Sequence, residues 1–124
     1  MHILDSSIII ELIGGSELGR KAITAINEEH LATTVISMVE VLEGTNGKID
    51  IAAASFFDSI PILSLDIKSA IECIKIQKAL KRNGTPLGRA DLFIAGICKK
   101  NDATLVTCDN DFKKVNNLKI ALID

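Results

Sequence analysis

Four acidic residues stand where a carboxylate is costly. Asp5 closes the apolar run HILDSSIII, Glu40 is the only charge in VISMVEVL, Asp91 opens ADLFIAGIC, and Asp109 leaves LVTCDNDF together with Thr107 and Asp111. An ionised carboxylate is rarely buried alone, because losing its water costs several kcal/mol. Other acids, such as Glu28, Glu29, Asp50, Asp58 and Asp102, sit among polar or small neighbours and read as solvated. Four carboxylates brought together would raise one another's pKa, and a divalent cation at their centre makes such an arrangement tolerable. With no histidine or cysteine among them, all-oxygen ligation selects Mg²⁺ or Mn²⁺ over zinc. Helix capping is the competing explanation. Asp5 or Ser6 can cap one helix and Asp109 or Asp111 another, Ser37 and Glu40 match the S-x-x-E capping box, and Asp91 suits a helical first turn. Glu11, in IIIELI, can turn outward at helical spacing.

Other chemistries are poorly supplied. His2 and His30 each start an expected strand, at the sheet edge opposite the usual ligand crevice, which disfavours a histidine-based nucleophile or zinc site. The stretch GGSELG at 14–19 lacks the glycine spacing of a dinucleotide fingerprint and the GK[ST] of a phosphate loop, and reads as a turn between helices. Cys73, Cys98 and Cys108 contain no CxxC pair and read as buried small hydrophobes.

The elements that must position the acids alternate between short β-branched runs and longer helical patterns, the signature of βαβ units. Strands are expected at His2 to Leu4, His30 to Thr33, Pro61 to Leu65, Thr104 to Thr107 and Lys119 to Ile123. Helices are expected at 6–13, 16–28, 36–44, 49–59, 67–82, 89–100 and 110–115. The helix at 67–82 is the clearest, with Asp66 as its cap, Ile67, Ile71, Ile74 and Leu80 at helical spacing, and Asn83-Gly84 as its stop. The expected fold is one three-layer α/β/α domain over residues 1–124, with a central, mainly parallel five-stranded sheet. In such a sheet Asp5 and Asp109 emerge at the carboxyl ends of their strands, where ligands bind. The chain of 124 residues, 48% hydrophobic and 24% charged, suits one domain of this size. Its start carries no basic leader and no apolar run reaches the ~18 residues of a membrane span, so a cytoplasmic setting without membrane contact is expected.

Net charge is −2, but it is unevenly spread: residues 1–62 hold 3 Lys/Arg and 9 Asp/Glu, whereas residues 63–124 hold 11 and 7. A basic surface on an acidic protein is therefore possible. Arg89, Lys99 and Lys100, with the row Lys75, Lys78, Lys81 and Arg82, form the candidate track for phosphates. Only Phe56, Phe57, Phe93 and Phe112 are aromatic, so base stacking is sparsely supplied.

The segments ILDSSIII, TTVISMVEVLEG, PLGRADLFIAGICKK and ATLVTCDNDFKKV, in that order and spacing, resemble those of a PIN domain, in particular the VapC-type toxins of toxin–antitoxin pairs. The resemblance implies a metal-dependent endoribonuclease that cuts single-stranded RNA to leave a 3′-hydroxyl and a 5′-phosphate. Its acidic ligands would be Asp5, Glu40, Asp91 and Asp109, with Asp111 sharing or taking the role of Asp109, and Ser7 and Thr107 as polar supports. Asp91 or Asp5 would orient or deprotonate the attacking water. Arg89, Arg82, Lys78 and Lys99 would meet the RNA. The family also implies a homodimer and an inhibitory antitoxin; the apolar helices at 36–43 and 49–59 read either as core or as surface for such a partner. Two rival readings remain open at this point: a catalytically silent PIN-like module that binds RNA or protein, and a receiver-type Mg²⁺-binding signalling domain.

Overall fold

The computed structural model describes residues 1–26, 30–45 and 48–124. Strand β1 (His2–Leu4) leads into helices α1 (Ser6–Gly14) and α2 (Glu17–Ile26), and β2 (Leu31–Thr34) into α3 (Val35–Gly44) and α4 (Lys48–Asp58). Strand β3 (Ile62–Leu63) leads into α5 (Ile67–Arg82) and α6 (Arg89–Lys100), then come β4 (Thr104–Thr107), a 3-10 turn at Asn110–Lys114, and β5 (Lys119–Leu122). The sheet order is β3-β2-β1-β4-β5 and every pairing is parallel. The expected α/β/α fold is present. The expected helix at 16–28 runs past Ile26 onto residues outside the described ones. The expected strand at 61–65 shrinks to two residues at the sheet edge, where Pro61 has no N–H to give to a ladder.

Alternation along the central strands builds two cores. Ile3, Ala32 and Leu105 face α5 and α6, whereas Leu4 and Val106 face the layer of α1 to α4. The register pairs Ile3 with both Ala32 and Leu105, and Leu4 with Val106, so each row of like-facing residues is continuous across the sheet. Phe112, from the 3-10 turn, is fully buried against the α5–α6 side and anchors the segment that carries Asp109 and Asp111.

Local chemistry stops each helix where the sheet needs it. Asp5 caps α1, and Gly15, at φ 67°, ends it by donating its N–H to the Glu11 and Leu12 carbonyls. Asp66 caps α5 and Asn83 closes it. At α3 the expectation needs correcting. Thr34, not Ser37, is the cap: its hydroxyl accepts from Ser37 N–H at 3.0 Å, and Ser37 is buried inside the helix. Glu40 therefore lies too far along α3 to close a capping box.

Helices α5 and α6 meet at Gly96. A β-carbon there would stand 2.9 Å from the Ser69 carbonyl oxygen and overlap the Cys73 sulfur. The backbone carbonyl cannot rotate away as a side chain could. Gly96→Ala is expected to destabilise the fold by about 1–3 kcal/mol, the range of an overpacked core, and to lower the urea midpoint accordingly. Unchanged stability would show that the two helices can move apart freely.

Candidate active site

The order of the sheet reverses beside β1. The chain steps outward from β1 through β2 to β3, then returns to add β4 and β5 on the other flank. Ligand crevices of parallel sheets form at such a switch point, beyond the carboxyl ends of the two adjoining strands. Here those ends are Asp5 after β1 and Thr107 to Asp109 after β4.

Asp5 is 4% exposed and locked on all sides. Its backbone N–H donates to the Val106 carbonyl at 3.2 Å, carrying the ladder one residue past β1. Its carboxylate accepts from the Ser7 hydroxyl at 2.5 Å, the Ile8 N–H at 3.2 Å and the buried Thr107 hydroxyl. Ser7 in turn accepts from Cys108 N–H at 3.1 Å, and Thr107 from Asp109 N–H at 3.0 Å. One network thus joins the start of α1 to the end of β4. Burial raises the Asp5 pKa above the usual carboxylate value, and these donors oppose the rise.

Asp91, Asp109 and Asp111 offer carboxylate oxygens that all lie within 4.8 Å of one another. Asp91 projects from the first turn of α6, and Asp109 starts the 3-10 turn, accepting from Asp111 N–H at 2.8 Å. Burial pushes the Asp91 pKa up to about 6, with the neighbouring charges of Asp109, Glu40, Asp5 and Asp111 adding to it. The carboxylates singled out in the sequence therefore act on one another in space. Both Asp109 and Asp111 belong to the group. Glu40 is held from across the crevice by the Ser6 hydroxyl at 3.1 Å. The sequence alone offers Ser6 only as a possible cap, since its partner lies 34 residues away. Lys114 lies 3.7 Å from the exposed Asp111, and a solvated contact of this kind neutralises little.

A hard cation fits this donor set. The three clustered groups are all carboxylates, Asp91 is destabilised as an anion, and Cys108, half-buried with its N–H on Ser7, is not among them. Cys73 and Cys98 are buried in the core as expected, and burial pushes the Cys98 thiol up to about 12. His2 and His30 lie at the opposite edge of the sheet, where His2 N–H donates to the His30 carbonyl at 2.9 Å.

A family model for the PIN domain matches residues 2–118. The chain belongs to the PIN domain family. Among solved structures, this PIN domain resembles a chain of VapBC2 from Rickettsia felis bound to a DNA fragment from their promoter. The two are 22% identical over 99% of this chain and 98% of that one, with a TM-score of 0.83. VapBC-5 of Mycobacterium tuberculosis, a member of the VapBC family of toxin-antitoxin systems, is 22% identical over 98% of this chain and 96% of that one, at a TM-score of 0.73. VapC20 of the same organism, described as a Sarcin-Ricin loop cleaving toxin, is 14% identical over 91% and 93%, at 0.69. At these identities the likeness is one of fold. Comparison with curated proteins gives no match.

Family membership removes the receiver reading, and the geometry agrees. The residue a receiver would phosphorylate, Asp66 after β3, caps α5 at the sheet edge and pairs with Lys100 at 2.9 Å, which holds its carboxyl well below the usual range. The basic residues of this PIN domain do not form one track. Lys78, Lys81 and Arg89 line a single cavity beside the first turn of α6. Arg82 is exposed at the end of α5 and outside that cavity. Lys99 sits in the last turn of α6, at the other end of the helix from Asp91, and donates to the Asn117 carbonyl at 3.1 Å. Among the described residues, no helix is long and apolar enough to cross a membrane.

Proposed function

We propose that this PIN domain is a metal-dependent endoribonuclease that cuts single-stranded RNA, and that it serves as the toxin of a toxin–antitoxin pair. The observation that carries the reading is the meeting of Asp91, Asp109 and Asp111 at the sheet's switch point, with Asp5 and Glu40 close enough to perturb Asp91. Structural neighbours from VapBC systems, one of them described as cleaving the Sarcin-Ricin loop, support both halves of it.

Asp91, Asp109 and Asp111 would hold Mg²⁺, or Mn²⁺ in its place, and Asp5 and Glu40 would complete the acidic surround. When bound, the ion supplies positive charge to the scissile phosphate and acidity to a water. The chain's own residues do the rest. Thr107 and Ser7 fix the Asp5 carboxylate so that its orientation is set before substrate arrives, Ser6 does the same for Glu40, and Phe112 holds the Asp109–Asp111 turn against the core. Preorganised groups of this kind lose little to rearrangement as charge builds. An antitoxin, a homodimer and a cytoplasmic setting belong to the same proposal. The exposed Val39, Leu42 and Ile51 on α3 and α4 offer surface for a protein partner.

Incubating the purified protein with a pool of single-stranded RNA tests the activity. Cleavage is expected with Mg²⁺ or Mn²⁺ and none with EDTA, and the new 5′ ends should accept ligation as phosphates. Cutting that persists in EDTA, or no cutting under any divalent ion, would refute the ribonuclease reading.

A further inference from the structure

Between α5 and α6 lies a cavity of about 440 Å³ that the acidic centre does not use. We propose that it receives one nucleotide of the single-stranded RNA on the other side of the first turn of α6 from the acids: the base between Phe93, Leu87 and Ile74, the phosphates on Lys78, Lys81 and Arg89. The proposal rests on the ribonuclease reading and extends it to how substrate is held.

Charge comes first. Among the described residues, every charged side chain lining the cavity is a cation, Lys78, Lys81 or Arg89. An anionic ligand is therefore favoured, and the apolar walls between those cations suit a flat, weakly polar body such as a base. Size agrees, since about 300–1,000 Å³ is usual for small-molecule sites and this one lies toward the lower end.

Hydrogen bonding argues against an extended peptide in the same place. Gln77 spends both ends of its amide on Leu87, donating to the carbonyl at 2.9 Å and accepting from the N–H at 3.1 Å. The Cys73 thiol is spent on the Leu92 carbonyl at 3.4 Å. A peptide backbone would find few neutral partners among these side chains, whereas a nucleotide needs only stacking and cations. For the same reason the side chains cannot read a base edge with any precision. The position should accept all four bases.

The cavity also has the right neighbour. Arg89, Leu92 and Phe93 of α6 line it, while Asp91 lies about 160° around the helix from the middle of that face. Cavity and acids thus flank the first turn of α6. That turn begins at Gly88, which makes no side-chain cap, so the first amides of α6 are available to a phosphate that crosses from one side to the other.

Fluorescence anisotropy in EDTA, with the intact protein and a short labelled single-stranded RNA, reads binding without cleavage. Ile74 is 55% exposed, so Ile74→Trp fills the cavity mouth with little threat to folding. It is expected to weaken RNA binding about tenfold, the worth of one stacked base, and to leave an abasic strand of the same length unaffected. Replacing Lys78 and Lys81 by Gln should lower the salt slope of log Kd by about 0.7 for each lysine. Homopolymers of the four bases should bind within about threefold of one another. RNA binding by Ile74→Trp equal to wild type would overturn the proposal, as would a cavity variant that loses only binding of an acidic peptide. The two readings fail separately: absent Mg²⁺-dependent cleavage with these binding changes intact sinks the ribonuclease, whereas normal cleavage without them sinks the cavity.

Discussion

Asp91→Asn should abolish cleavage and, in EDTA at neutral pH, make the protein more stable than wild type. The two effects have one cause. Asp91 has its pKa pushed up to about 6, first by burial and then by the charges of Asp109, Glu40, Asp5 and Asp111. A carboxyl whose folded pKa exceeds its unfolded value binds its proton more tightly in the native state, so the native state is favoured most at low pH. Its contribution is lost as pH rises from about 4 through about 6. Above that window the metal-free fold carries an anion it disfavours, at roughly 2 kcal/mol once partial solvent exposure is allowed for. Asparagine keeps the shape without the charge. The variant should melt higher than wild type by about 8 °C at pH 8 in EDTA, and by much less at pH 4.

Millimolar Mg²⁺ should reverse the order of the two proteins. A cation bound to the folded state alone stabilises by mass action, about 2.7 kcal/mol at a hundred times its Kd, and Asp91→Asn removes one of its ligands. Cleavage should fall at least a hundredfold, the usual loss when a group that stabilises transition-state charge is removed. Calorimetry at the two pH values, with and without Mg²⁺, checks all of this. Equal melting temperatures in EDTA at pH 8 would mean that neither burial nor the neighbouring acids disfavour the Asp91 charge.

The architecture was readable in the sequence because its signals are local. The short strand runs HIL and TLVT, the Asp66 cap and the Asn83-Gly84 stop each depend on a few neighbouring residues, and all recur in the structure. The prominence of the acids was also local: a lone charge in an apolar run needs no contact map to be noticed. Tertiary partners were not readable. Thr34 outcompeted Ser37 as the α3 cap because the helix begins directly at the end of β2, a boundary that the S-x-x-E pattern cannot report. Ser6 finds Glu40 only after β1 and β2 pair, and Cys108 N–H finds Ser7 only after β1 and β4 pair. The basic residues read as one track, yet they divide in space: Lys78 and Lys81 of α5 meet Arg89 at the start of α6, Arg82 lies outside that cavity, and Lys99, at the other end of α6, donates to Asn117.

Asp5 sets the opposite balance from Asp91, although both carboxylates serve the same centre. Its oxygens are the common acceptor for Ser7, Ile8 N–H and the fully buried Thr107 hydroxyl, so truncation strands the buried Ile8 and Thr107 donors, while the half-buried Ser7 can turn elsewhere. Each stranded donor costs about 1–3 kcal/mol, and the α1 cap is lost as well. Asp5→Ala should therefore destabilise the protein by about 3–5 kcal/mol and abolish cleavage through loss of the fold and the site together. Asp5→Asn separates the two. Its side-chain oxygen can still accept from Ser7 and Ile8, and the raised pKa of Asp5 means that losing the charge relieves a burial penalty. Only the face toward Thr107 suffers, because Thr107 already accepts from Asp109 N–H and would now face an amide that also donates. The expected cost is about 1 kcal/mol, with cleavage still reduced at least a hundredfold. Thr107→Val removes that hydroxyl and with it the acceptor of Asp109 N–H, so it costs stability in either background, but less in Asp5→Asn, where the bond to residue 5 is already lost, and it restores no cleavage. If Thr107→Val lowers the melting temperature as much in the Asp5→Asn background as in wild type, the Thr107–Asp5 contact is not what holds the ends of β1 and β4 together.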